Sequence, residues 1–387
     1  MSINKIVIDD STFSPIIFPK DYGISRERVR PLEYRQPTYD YDYDFYTLFY
    51  DVFLLDNSRE IMITAPPFMN LRSYINGASL KLFDGVKHYD VDVDVINFQR
   101  YDEAIIKLPE NVPPDNLSLK LILPDQPAIT VPVQDNYHQA FAGKNVAMTI
   151  YKFDHLDWVK DWVEFHVKYH GTNAFVFYRN NAVYVSQRAL LEAIEEISGI
   201  DVVAIVDWPF PFGPRAAGTQ YWDSDFAKHG ALGHARRRFL EKADAVLNVD
   251  IDELLVLEDH RSIFTKLAVA ETGYITFNGI WTSAPDNRFE DLARRRYTHY
   301  QYHGQIHSDT KQCPVKWIVD PKKCPRKAQW TTHEIKNMEG FSYPNNQVRY
   351  RHFRNLNMGW KVDRTKPLLT YNEDHLLIEA YKKVGWL

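Results

Sequence analysis

The sequence predicts an α/β protein in which a mostly parallel, helix-covered sheet is preceded by a β-rich, sandwich-like domain. Three observations carry this. Short apolar or alternating runs recur up to about residue 140. From Asn145 onward, apolar runs alternate with stretches of helical periodicity. The fourth of those later runs, Ala245–Val249, ends in three acids, Asp250, Asp252 and Glu253, at the strand end where open α/β sheets bind their ligands.

The early runs are Lys5–Ile8, Tyr46–Leu55, Glu60–Thr64, Ser79–Phe83, Tyr89–Val95, Ala104–Leu108, Leu117–Leu123 and Ala128–Val133. Pro, Gly, Asn and Asp punctuate them, the spacing of a sandwich. Pro31 to Asp44 reads as an extended loop, and Asp135–Gly143 as a linker. The expected division is therefore an accessory β-rich domain over 1–140 and a second domain over 141–387.

The second domain opens with strand Asn145–Tyr151. A helix is expected from His155 to His170, because Leu156, Val159, Val163 and Val167 share one face, with Asp154 as N-cap and Gly171 as C-cap. Strand Ala174–Tyr178, helix Gln187–Ile197 after Ser186, strand Asp201–Val206, helix Thr219–Lys242 and strand Ala245–Val249 follow. These connections are long enough for right-handed parallel crossovers. Beyond Glu253 the pattern loosens: strands are expected at Tyr274–Asn278, Val315–Val319 and Thr331–Ile335, and a terminal helix at Asp374–Val384.

At 387 residues, 25% charged and a net charge of −5, the composition is that of an ordinary globular protein and disfavours nucleic acid as partner. Aromatic residues make up 14%, enough for sugar-stacking platforms as well as cores. The two cysteines, Cys313 and Cys324, are too few for a four-ligand zinc site and read as free thiols. Met1-Ser-Ile-Asn-Lys shows no basic start followed by an apolar run, and no window reaches the roughly 18 apolar residues of a membrane span. A cytoplasmic location is expected, with peripheral membrane contact left open.

The acids carry the chemistry. On a strand, residues two apart share a side, so Asp250 and Asp252 are expected to present two carboxylates together. Two hard oxygen donors suit a divalent cation, Mn2+ or Mg2+, that also holds a phosphate. A solvated acidic turn has the same composition, so the context decides.

That context includes a resemblance. Lys152 to His166, ending at His170-Gly171, is similar to the opening helix of glycosyltransferase family 92 and its bacterial relatives, as is Phe175–Tyr178 with Asn180-Asn181. Asn248–Leu255 resembles their metal-binding strand end. Lys316–Pro321, Thr332-His333-Glu334-Ile335 and Arg351-His352-Phe353-Arg354 resemble later landmarks. The resemblance spans roughly residues 145 to 360. It implies a GT-A-type αβα sandwich, a divalent cation, a nucleotide-diphosphate sugar as donor, a glycan acceptor and an inverting mechanism, as used in polysaccharide biosynthesis. One departure concerns the loop after Tyr274–Asn278, usually Gly/Ser-rich and here Thr282-Ser-Ala-Pro-Asp-Asn-Arg288; it leaves the acceptor open.

Roles follow from the residues and from the resemblance together. Asp250 and Asp252 are expected as metal ligands, with His333 as third and His352 as the runner-up. Lys152, Asp250, Lys316 and Arg354 are expected at the nucleotide sugar, with Arg351 a further candidate for the diphosphate. The catalytic base is expected among Asp291, Glu290 and Asp286, with Asp291 favoured because it opens a helix expected over Asp291–Tyr297, whose start favours a charged carboxylate. Trp281, Trp330 and Trp360 are candidates for stacking acceptor sugar. Two rival readings are a non-catalytic carbohydrate-binding protein on the same fold, and a metal-dependent phosphoesterase, which would need more ligands than the sequence offers near Asp250.

Overall fold

A computed structural model describes residues 3–9, 11–56, 59–152, 155–182, 185–218, 220, 222–282, 299, 305–307, 313–343, 347–353, 356 and 371–387. The fold is mixed α/β: one large, mostly parallel sheet and a separate β-rich part.

The β-rich part holds two four-stranded antiparallel sheets. One runs Gln126–Pro132, Ser118–Leu123, Leu80–Phe83, His88–Asp90; the other runs Asp51–Leu54, Glu60–Ala65, Asp102–Lys107, Val93–Asn97. Alternation decides what each face meets. Val52, Ile61, Ile63, Ala104 and Ile106 face the first sheet, packing on Leu80, Leu82, Leu119 and Leu121. The alternate residues Asp51, Phe53, Met62, Glu103 and Ile105 are also buried, on the opposite face.

In the large sheet we label β1 Asn4–Ile8, β2 Asn145–Tyr151, β3 Ala174–Arg179, β4 Val202–Asp207, β5 Ala245–Asn248, β6 Glu253–Leu257, β7 Tyr274–Thr282, β8 Cys313–Val319 and β9 Val348–Phe353. The order is β1-β4-β3-β2-β5-β8-β7, with β9 beside β7 and β6 beside β9. The first five are parallel, and β8 runs antiparallel between β5 and β7. Both faces are covered, so the parallel strands read as continuous apolar runs. Ala147, Phe175, Phe177, Val203 and Ile205 face helices α1 (Leu156–Phe165), α2 (Gln187–Glu195) and α4 (His375–Val384). Val146, Met148, Val176, Ala204 and Val206 face helix α3 (Phe226–Ala235).

Several expectations change in the folded chain. Lys5–Ile8, read as part of the accessory domain, is an edge strand of the large sheet, paired in parallel with β4. The helix expected from Thr219 starts at Phe226, because Asp225 has φ 63°, outside right-handed helical space. Its last turn, Arg236–Leu240, widens to a π-helical turn. Of the expected strand Thr331–Ile335, Thr331–Glu334 is a turn: Thr331 Oγ1 donates to Glu334 O (2.7 Å) and accepts from Glu334 N (3.1 Å), closing a hairpin between Gln329–Trp330 and Ile335–Lys336. Ser186 caps α2 as expected, Gly171 ends its helix in the left-handed region and both cysteines are free. Asp154 and the Asp291–Tyr297 helix lie outside the described residues. Among the described residues, no helix is long and apolar enough to cross a membrane.

Candidate functional site

The site forms where the chain leaves β5. The strand ends at Asn248, and Asp250–Glu253 closes on itself: Asp250 N donates to Glu253 Oε2 (2.8 Å) and Glu253 N to Asp250 O (3.0 Å). The apolar residue inside the turn, Ile251, drops into the core. The chain then reverses into β6, whose residues pair with β9 so that Glu253 lies opposite His352. Phe353 N donates to Asp252 O (2.8 Å), fixing the turn to the end of β9.

Because this is a turn and not a continuing strand, the two-residue period does not apply, and the two aspartates go to different partners. Asp250 accepts from Lys316 Nζ (2.7 Å) and Lys228 Nζ (3.1 Å). Asp252 Oδ2 lies 3.0 Å from His352 Nε2. Lys316 is buried on β8 and also reaches Glu253 Oε2 at 3.0 Å. Lys228 comes from α3.

Three carboxyl groups thus gather beside two ammonium groups and an imidazole in a largely water-excluded place. Burial alone would raise the pKa of Asp250, but Lys228 and Lys316 outweigh it and hold the carboxyl well below its ordinary range. Burial dominates at Glu253 and pushes its pKa up, against the opposing pull of Lys316. Burial opposes charge on Lys316, yet Asp250 and Glu253 hold it protonated, above its ordinary range.

Asp252, Glu253 and His352 offer ligand atoms that all lie within 4.8 Å of one another, and all three are buried. Trp281, opposite His352 across β7 and β9, stacks on the imidazole at 4.2 Å between centroids and 28° between planes. The ring is therefore held in one orientation between an indole and two carboxylates. Two hard oxygens and one imidazole form a donor set that fits a divalent cation such as Mn2+.

The other expected residues fall as follows. His333 is exposed in the hairpin turn, its Nδ1 2.9 Å from Val315 O, and outside the Asp252, Glu253 and His352 group. Lys152 is exposed just past β2, on the sheet edge from which the acidic turn emerges. Arg351 is buried and pairs with Asp374, the N-cap of α4, at 2.7 and 2.9 Å. Trp330 is buried in the core and Trp281 serves His352. Asp286, Glu290, Asp291, Arg354 and Trp360 lie outside the described residues.

Sequence reasoning passed over Lys228 and did not count Glu253 among the metal ligands. Lys228 carries no local signal, since a helical lysine is ordinarily a solvated charge. Glu253 had one: it is the third acid of the run, and the first residue of a strand paired with a histidine-bearing strand.

A family model described as glycosyltransferase family 92 matches residues 145–383, which contains every residue of this site. Among curated proteins none matches the chain.

Proposed function

The chain belongs to glycosyltransferase family 92 and is a glycosyltransferase, and from that premise we propose that it moves a sugar from a nucleotide-diphosphate donor to a glycan acceptor, using a divalent cation held by Asp252, Glu253 and His352. The observation that carries this reading is the close approach of those three ligand atoms, within 4.8 Å, beside the end of a parallel strand. A GT-A-type arrangement belongs to the same proposal, supported by the parallel order β4-β3-β2-β5 with helices on both faces.

When bound, the cation supplies charge neutralisation for the leaving diphosphate. The chain's own residues do the rest. Lys228 and Lys316 hold Asp250, which keeps a third carboxylate from repelling the diphosphate. Trp281 fixes the His352 ring. We place the base in the segment that follows β7, whose last residues Trp281 and Thr282 pair with His352 and Phe353; Asp291 is favoured, with Glu290 orienting the acceptor and Asp286 as the alternative. That carboxylate takes the acceptor hydroxyl proton as the oxygen bonds the anomeric carbon and the diphosphate leaves from the opposite side, which inverts the centre.

Hydrolysis and binding of a panel of nucleotide sugars, with and without Mn2+, test this. Asp252→Asn should abolish Mn2+-dependent nucleotide binding while melting like the parent. Asp291→Asn should lower turnover by roughly 10²-fold or more with donor binding nearly unchanged, the scale of a lost general base. Unchanged nucleotide affinity in Asp252→Asn would remove the reading.

A further inference from the structure

The β-rich part reaches the site. Its strands Val93–Asn97 and Asp102–Lys107 pair as a hairpin, and the connecting tip carries Gln99 and Arg100. Arg100 has φ 74°, the left-handed region a non-glycine residue occupies only when its surroundings hold it there. Two elements grip this tip.

On one side, Arg100 Nη1 lies 3.0 Å from His229 Nε2 and 3.8 Å from Asp225 Oδ2, at the start of α3. Asp225 is itself left-handed, at φ 63°. The residue beside His229 is Lys228, whose ammonium holds Asp250 at 3.1 Å. The tip also seats on α3 through Tyr101: a Cβ at Gly233 would lie 2.4 Å from its ring, so only glycine leaves room there.

On the other side, the side-chain amide of Gln329 accepts from Gln99 N (3.2 Å) and donates to Gln99 O, while Lys336 donates to the Gln99 side chain. Gln329 and Lys336 are the two arms of the hairpin whose turn holds Thr332, and Thr332 O accepts from Asn248 Nδ2 (3.1 Å), two residues before Asp250. The tip is thus wedged between two elements that reach the acidic turn and its strand, α3 through Lys228 and the hairpin through Thr332.

We propose that Arg100 and Gln99 of the β-rich part are positioning residues for the site: wedged between α3 and the Gln329–Lys336 hairpin, they keep Lys228 seated on Asp250. This inference rests on the reading of Asp250–Glu253 as the place where diphosphate and cation meet. Its consequence is selective. If Lys228 drifts, Asp250 keeps its charge and faces the diphosphate, so anion binding weakens while attraction for a cation does not.

The test titrates UDP, GDP and ADP in the presence of Mn2+, and Mn2+ alone, into the full chain and into Arg100→Ala, Gln329→Leu, Lys228→Met and the Arg100→Ala/Lys228→Met double variant. The nucleotide that binds the parent should bind each single variant about tenfold more weakly, the scale of a lost charged hydrogen bond. Mn2+ alone should bind no more weakly than to the parent. The double variant should lose no more than Lys228→Met does, because both act through one contact. Additive losses, unchanged nucleotide affinity in Arg100→Ala, or a parallel loss of Mn2+ binding would overturn the proposal. Asp252→Asn serves as the reference: if it keeps Mn2+-dependent nucleotide binding, the underlying reading of the site fails instead.

Discussion

Two buried charged clusters flank helix α3, and they are built to opposite ends. At the seam with the β-rich part, consecutive arginines diverge from the widened turn. Arg237 grips Glu103 at 2.9 and 3.1 Å, and Arg238 pairs with Asp51, which also lies 2.8 Å from His234 Nε2. Arg236 donates to the carbonyls of Pro325 and Ala328. Every carboxylate named there faces a guanidinium across a dry boundary, an arrangement closed by its own partners. At the acidic turn, two lysines converge on Asp250, one of them, Lys316, also reaches Glu253, and His352 lies beside Asp252 and Glu253. Similar burial and similar residue types give a joint in one place and, in the other, the group we propose for a cation. What differs is the balance of charge: the arginines outnumber the carboxylates named at the seam, whereas carboxylates outnumber the ammonium groups at the turn.

The comparison can be broken most forcefully at the seam. A chain beginning at Phe141 lacks β1 and all the carboxylate partners that Arg238, His234 and Arg237 take from the β-rich part, so it should aggregate; soluble expression with a cooperative melt would show the seam to be dispensable. Within the full chain, Glu103→Ala leaves the Arg237 guanidinium buried without its main partner and should cost about 3–5 kcal/mol, read from denaturant midpoints. Mn2+ binding of the folded fraction should be unchanged, since the seam and the turn hold separate charges.

A smaller effect lies with pH. Burial pushes His166 down to about 3, and it also pushes His170, His229 and His234 below their ordinary value. Unfolded, these rings titrate near 6.5. Between that value and about 3 the unfolded chain binds more protons than the folded one, so stability is present above pH 6.5 and lost as pH falls. His166 contributes a slope of up to about 1.4 kcal/mol per pH unit in that window, and the other three rings act in the same direction. Melting temperature should fall steadily from pH 7 to pH 5, and His166→Gln should flatten the decline; a flat profile in the parent would mean these rings are not held neutral.

How much of this was legible follows from where the determining contacts come from. The β-α alternation after Asn145 is local, and the parallel core follows from it. The acidic turn was legible because three acids follow an apolar run. The pairing of β1 was not: its alternating burial, Ile6 and Ile8 in and Lys5 out, is the same for an edge of either sheet type. The fate of Asp250 was not legible either, because Lys228 and Lys316 arrive from a helix and a strand that only the tertiary fold brings together. The position of His352 was a matter of register: β9 pairs with β6 so that His352 meets Glu253, while His333 sits on a hairpin turn with its ring against the Val315 carbonyl.

The central claim, that Asp252, Glu253 and His352 hold the cation, is tested most directly by Mn2+ titration of His352→Ala beside His333→Ala, followed by electron paramagnetic resonance of free Mn2+. Loss of binding in His352→Ala, with His333→Ala close to the parent, is the predicted result. Loss in His333→Ala with His352→Ala unaffected would contradict the account.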